Sequence, residues 1–255
     1  MKILDYKEII VSNSNSPVSL LYDTDGWSKR YFCIENREAY FLGYPCGTCN
    51  FIFERLEGAS KKISPAKIVD TLGSEKIYLT DDAFQEIVKL VPNGKYISLL
   101  LEISPNMIIA GSKSDYFVKN EPIDSFWGFH HNPKINYYMD SDFEINNKET
   151  FHTFILPIVP EHWLEKKTVD RYRSKIEQGV SPTAISLSYI DILERGEKFH
   201  SCFVNILLDG HHKLNAVSKF STKRSINMIS FLSTEMGASS EECIYEQLNF
   251  IVKNV

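Results

Sequence analysis

The densest chemistry in the chain is a run of five residues, Asp209-Gly210-His211-His212-Lys213. It holds a carboxylate, two imidazoles and an ammonium around one glycine. The apolar run Val204 to Leu208 precedes it, and the helix-compatible Leu214-Asn215-Ala216-Val217 follows. In a strand–turn–helix order, the first N–H groups of the helix lack intrahelical partners. They carry about half a positive charge and so favour an anion such as phosphate. Gly210 meets the backbone demands of the turn and lets a ligand approach the main chain. Lys213 adds a full charge. The expectation is that Gly210, His211, His212 and Lys213 hold phosphate, with Asp209 orienting His212 or binding Mg2+. The competing reading is a tight turn with surface histidines.

Three other groups could do chemistry. Cys46 and Cys49 form a Cys-x-x-Cys, which reads as half a zinc site, as a redox pair at a helix start, or as two buried thiols. Zinc would need two further ligands, and His130 and His131 are candidates. Trp127, His130 and His131 lie with Tyr137-Tyr138 in an aromatic stretch that either lines a substrate pocket or packs as a loop. Glu161 and His162 follow an apolar segment at a turn and are candidate general bases. Cys33, Cys202 and Cys243 sit in apolar patterns and read as core.

The elements that would position these groups alternate between strand and helix patterns, which predicts an α+β fold. Val18–Tyr22, Arg30–Glu35 and Ala39–Gly43 read as strands, the last two joined by a hairpin at Asn36-Arg37-Glu38. Thr48, Ser64 and Thr80 read as caps of helices ending at Leu56, Leu72 and Val91. Tyr96–Ile103 reads as a buried strand. Residues 111–150 show no clear period and suggest a long functional loop, a lid or a linker. A domain boundary is placed at its end, giving an N-terminal α+β domain over 1–148 and a second domain over 149–255. The second part continues with a strand at Phe151–Val159, a Thr168-capped helix to Gln178 and strands at Ala184–Ile192 and Phe199–Leu208. After the glycine turn come its helix, a strand at Ile226–Leu232 and a last helix from Ser240 to Val252.

Several pieces of this second half resemble the ParB/sulfiredoxin superfamily, over roughly residues 151–235. They are Ile155-Leu156-Pro157-Ile158-Val159-Pro160, the helix ending at Gly179, Ser181-Pro182-Thr183-Ala184-Ile185-Ser186-Leu187, Leu208 to Ala216, and Ile226-Asn227-Met228-Ile229. The resemblance implies a ParB/sulfiredoxin-like α/β domain that binds nucleotide phosphates at the Asp-Gly-His-His-Lys turn. It also implies, from the free-serine-kinase-like branch, an acidic base just after the first strand, where Glu161 or Glu165 stands. Lys213 occupies the place where the family most often has arginine, which removes a bidentate fork. His211 stands where sulfiredoxin has its reactive cysteine, which disfavours sulfinic-acid reduction.

Composition narrows the choice. With 255 residues, 43% hydrophobic and 24% charged, the chain suits a globular protein with a real core. The net charge of -5 disfavours general nucleic-acid binding. No apolar run approaches the ~20 residues of a membrane span, and the N-terminus has no secretory pattern, so a cytoplasmic location is expected. Five cysteines do not suggest a disulfide framework. The function expected is a nucleotide-binding enzyme that uses ATP or ADP with Mg2+ to phosphorylate a small molecule. The alternatives are a non-enzymatic, nucleotide-gated or DNA-associated ParB-like module, and redox or zinc chemistry at Cys46 and Cys49.

Overall fold

The computed structural model describes residues 1–23, 29–44, 51–60, 76–120, 131–195, 197–237 and 240–254. Within these, eight strands form one mixed sheet. In chain order they are β1 (Lys2–Val11), β6 (Gly94–Ile103), β7 (Asn106–Ile108), β8 (Tyr137–Asn146), β9 (Glu149–Pro157), β10 (Thr183–Arg195), β11 (Lys198–Asp209) and β12 (Ile226–Ser233). Their spatial order is β1-β6-β12-β10-β11-β9-β8-β7. Two neighbouring pairs are parallel, β10 with β12 and β11 with β9. A separate antiparallel sheet contains β2 (Val18–Asp23), β3 (Lys29–Ile34), β4 (Arg37–Phe41) and β5 (Glu54–Arg55). The helices are α1 (Asp82–Val88), α2 (Tyr116–Asn120), α3 (Lys166–Glu177), α4 (His211–Ser218) and α5 (Glu241–Asn254).

The central strands are apolar on both faces because both faces are covered. Along β10, Ile185, Leu187 and Tyr189 join the core under the small sheet, while Ala184 and Ile190 join the core under the helices. β11 does the same, with Val204 and Ile206 on one side and Phe203 and Leu207 on the other. α3 buries Val169, Tyr172 and Ile176, spaced to share one helix face. On the opposite face, Arg30 of β3 reaches Asp191 of β10 with two parallel bonds of 3.0 and 2.8 Å, both residues buried. Burial costs the pair solvation. Two backbone carbonyls, Met236 O and Leu42 O, take further N–H groups of the two terminal nitrogens, while the buried Nε has no hydrogen-bond partner among the described residues.

The α+β class is observed, with corrections inside it. The stretch expected to be irregular carries α2 and the ten-residue β8. Its alternation of aromatic or aliphatic with acidic residues, Phe143-Glu144-Ile145, is the period of a strand. Residue 148 falls in the β8–β9 hairpin, inside a sheet that also takes β1 and β6 from the chain's first half. The helix expected to start after Thr80 starts after Asp81, and α3 starts after Glu165, two residues before its own Thr168 is reached. The helix expected through Leu56 gives way at Glu54–Arg55 to β5, and the β3–β4 turn uses Glu35 and Asn36, both with left-handed backbone. The helix expected after Ser64 lies outside the described residues. No helix among the described residues is long and apolar enough to cross a membrane.

Candidate functional site

The glycine turn has the expected order, with β11 ending at Asp209 and α4 beginning at His211. Gly210 is the N-cap, at φ 103°, a region that side chains other than glycine's adopt at a cost. A Cβ there would lie 2.6 Å from the Cβ of Ala184 in β10. Gly210 therefore serves the close packing of the turn on the sheet. Lys213 is 3% exposed. Its Nζ donates to Thr183 O at 2.7 Å and to Asp209 Oδ2 at 2.9 Å, and it lies 5.8 Å from the centre of the Tyr172 ring. The charge expected to meet phosphate is neutralised by the carboxylate expected to orient His212 or bind Mg2+.

Both histidines act as acceptors from the backbone. The Ile158 N–H donates to His211 Nε2 at 3.1 Å, and the Glu165 N–H donates to His212 Nε2 at 3.2 Å. Each ring must then carry its proton on Nδ1 when neutral. Asn215 Nδ2 donates to Glu161 Oε1 at 3.2 Å, and Lys219 Nζ lies 3.4 Å from the same oxygen. Four side chains of α4 and its end thus clamp the segment 158–165, which leaves β9 and enters α3 through the 3-10 turn Glu161–Trp163.

That clamped turn forms one wall of an open cleft of about 540 Å³. Glu161 and His162 line it from this side, and Arg55, Asn132, Lys134 and Asn136 from the other. Arg55 closes the small sheet from β5 and lies 6.0 Å from the centre of the Trp163 ring. Lys134 follows a turn in which its N–H donates to Asn132 Oδ1 at 2.8 Å, and its ammonium pairs with Glu54 at the surface. Asn136 Oδ1 accepts from the Ala110 N–H at 3.2 Å, which fixes that wall. The cleft thus holds two cations, an imidazole and two amides around one carboxylate.

No family model, curated protein or solved structure matches this chain.

The other expected site residues separate. Glu161 and His162 share the cleft, whereas Asp209 lies with Lys213 at the turn. His131 does not line the cleft. Its Nε2 donates to Phe53 O at 2.9 Å, and its ring packs 4.5 Å from that of Phe117. Burial lowers its pKa from the ordinary value. Trp127, His130, Cys46 and Cys49 lie outside the described residues. Among the described residues no group of three His, Cys, Asp or Glu side chains forms a metal site. Arg55, Asn132, Lys134, Asn136 and Trp163 were not singled out from sequence. They come from three distant segments, and only the Asn132-Pro133 turn signal beside Lys134 marks any of them locally.

Proposed function

We propose that this chain binds a nucleotide at the Arg55–His162 cleft and transfers a phosphoryl group from it to a small hydroxylated acceptor. The observation that carries the reading is the convergence of Arg55, Lys134 and His162 on one open cleft, while the charge of Lys213 is taken up inside the fold. Arginine and lysine beside an imidazole suit an oligophosphate, as forked and point-charge donors respectively. The indole of Trp163, 38% exposed and 6.0 Å from the Arg55 guanidinium, offers a stacking surface for the base next to the cleft. Glu161 is held in place by Asn215 and Lys219, so it would take the proton of the acceptor hydroxyl as the new P–O bond forms and the nucleoside diphosphate leaves. The glycine turn then has a positioning role, since its histidines hold the wall that carries Glu161 and His162. The described residues do not fit a resident Mg2+, because Asp209 faces Lys213. Mg2+ would arrive on the nucleotide phosphates.

Calorimetric titration with ATP, ADP and CTP in the presence of Mg2+ tests the reading. Binding is expected, and the double variant R55A/K134A should weaken it about tenfold or more. No heat with any nucleotide, or equal affinity in the double variant, would overturn it. A gel shift with DNA at low salt is expected to be blank.

A further inference from the structure

We propose that a second cleft, remote in sequence and chemistry from the first, is a binding site for a small organic amine. It lies between β2, the β3–β4 turn, the start of β6 and the exit of β12, and encloses about 470 Å³. Its lining is mostly hydroxyls and carboxamides, among them Asn36 and Asn93, with the rings of Tyr22 and Tyr96. Glu235 is the one charged side chain among the described residues that line it. No hydrogen bond or ion pair engages its carboxylate among the described residues. Arg30, whose guanidinium donates to the carbonyl of the adjacent Met236, is buried and held by the two oxygens of Asp191.

The rings of Tyr22 and Tyr96 share the cleft with Glu235. The Tyr22 hydroxyl donates to the Glu235 carbonyl oxygen at 3.1 Å, which ties the phenol to the residue carrying the charge. Tyr22 is 44% exposed, so its ring is open to a guest. Tyr96 is fixed by donating to Pro92 O at 3.0 Å. Burial is the main cause that raises the pKa of both phenols; the charge of Glu235 adds to it at each, and at Tyr22 the charge of Arg30 opposes it. A carboxylate that meets no cation among the described residues, in a cleft shared with tyrosine rings, is the pairing that recognises an ammonium group. The amides of Asn36 and Asn93 would meet a hydroxyl on the same ligand. A neutral saccharide would use the amides and leave the carboxylate without a role.

The test is NMR titration of the full chain with choline, with ethanolamine and with glucose, following the side-chain amide signals of Asn36 and Asn93. Both amines are expected to shift these signals saturably and glucose is not. E235Q, at an exposed position, should keep the spectrum of the folded protein and weaken both amines about tenfold, the loss of one charge contact. Y22A should weaken choline and leave the fold's other signals in place. Absence of amine shifts, an equal response to glucose, or unchanged affinity in E235Q would overturn the proposal. None of these outcomes bears on nucleotide binding at the Arg55–His162 cleft.

Discussion

At the β11–α4 turn, Lys213 lies 3% exposed between a carboxylate and a carbonyl. At the cleft one wall away, Lys134 stands 63% exposed beside a half-buried Glu54. The two lysines are chemically alike, and burial separates their roles. A buried ammonium must be fully partnered, so it contributes to the fold and has little left for a ligand. An exposed pair is worth little to stability, and its cation can turn to a stronger anion when one arrives. A motif that looks like a site by residue type can therefore be the scaffold for a less conspicuous site next to it. Substitutions at the turn should destabilise the protein, while those at the cleft should leave it folded with a weaker hold on nucleotide.

The largest effect is expected from Gly210→Ala. The new Cβ would press on Ala184 at 2.6 Å in a backbone conformation that suits glycine alone. Left-handed strain and overpacking together predict a loss of roughly 2–5 kcal/mol, read by urea unfolding. If Gly210 were instead a phosphate cradle with open space above it, stability would hold and only binding would fall. Lys213→Met comes next. It strips Asp209 and Thr183 O of their shared donor, and because Asp209 keeps 22% exposure the loss should be about 2–3 kcal/mol, below that for a wholly buried pair.

His211→Ala and His212→Ala each remove the acceptor of one backbone N–H, from Ile158 and Glu165. About 1–2 kcal/mol each is expected, together with a lower affinity for nucleotide, since the wall bearing Glu161 and His162 is loosened. K134A should change stability by less than about 1 kcal/mol, and R55A/K134A should weaken nucleotide binding about tenfold or more. A variant pair with the reverse pattern, in which the turn substitutions spare stability and abolish binding, would reassign the site to the turn.

Much of this contrast was legible in the sequence, and the limit has a physical cause. Strand, glycine and helix around residue 210 are local features, and local periodicity and capping chemistry report them well. The burial of Lys213 is not local, because it depends on β10 arriving with Thr183 and Ala184 in register beside the turn. The same holds for the sheet. β1 alternates only weakly, and its place beside β6 is fixed by contacts nearly a hundred residues away, such as Lys2 opposite Glu102. The hairpin at residue 148 joins strands whose aromatic and acidic alternation is visible once β8 is recognised, but Tyr137-Tyr138 and the surrounding polar residues mask it. The cleft was the least legible part. Arg55 and Lys134 are ordinary surface residues in sequence, and only the fold brings them to Glu161 and His162, which the turn after the strand had marked as candidate bases.

The smallest expected effect is also the one that locates the phosphate most directly. His131 is half-buried next to the cleft wall, and this burial lowers its pKa, with the Lys134 charge acting in the same direction. The hydrogen bond to Phe53 and the charges of Glu54 and Asp115 oppose this without reversing it. The fold thus favours the neutral ring. The stability this contributes is whole above the ordinary value of 6.5 and is lost as pH falls through the lower, folded value. Removing the Lys134 charge by K134A should raise the His131 pKa, and so should a phosphate bound against Lys134. The His131 ring proton, followed by NMR across pH with and without saturating ATP, should therefore titrate at higher pH in the complex. The groups that set its pKa do not include those of the glycine turn, so an anion bound there would leave the curve in place. If ATP binds and the curve does not move, the cleft is not the phosphate site, and the division of roles between the two lysines fails with it.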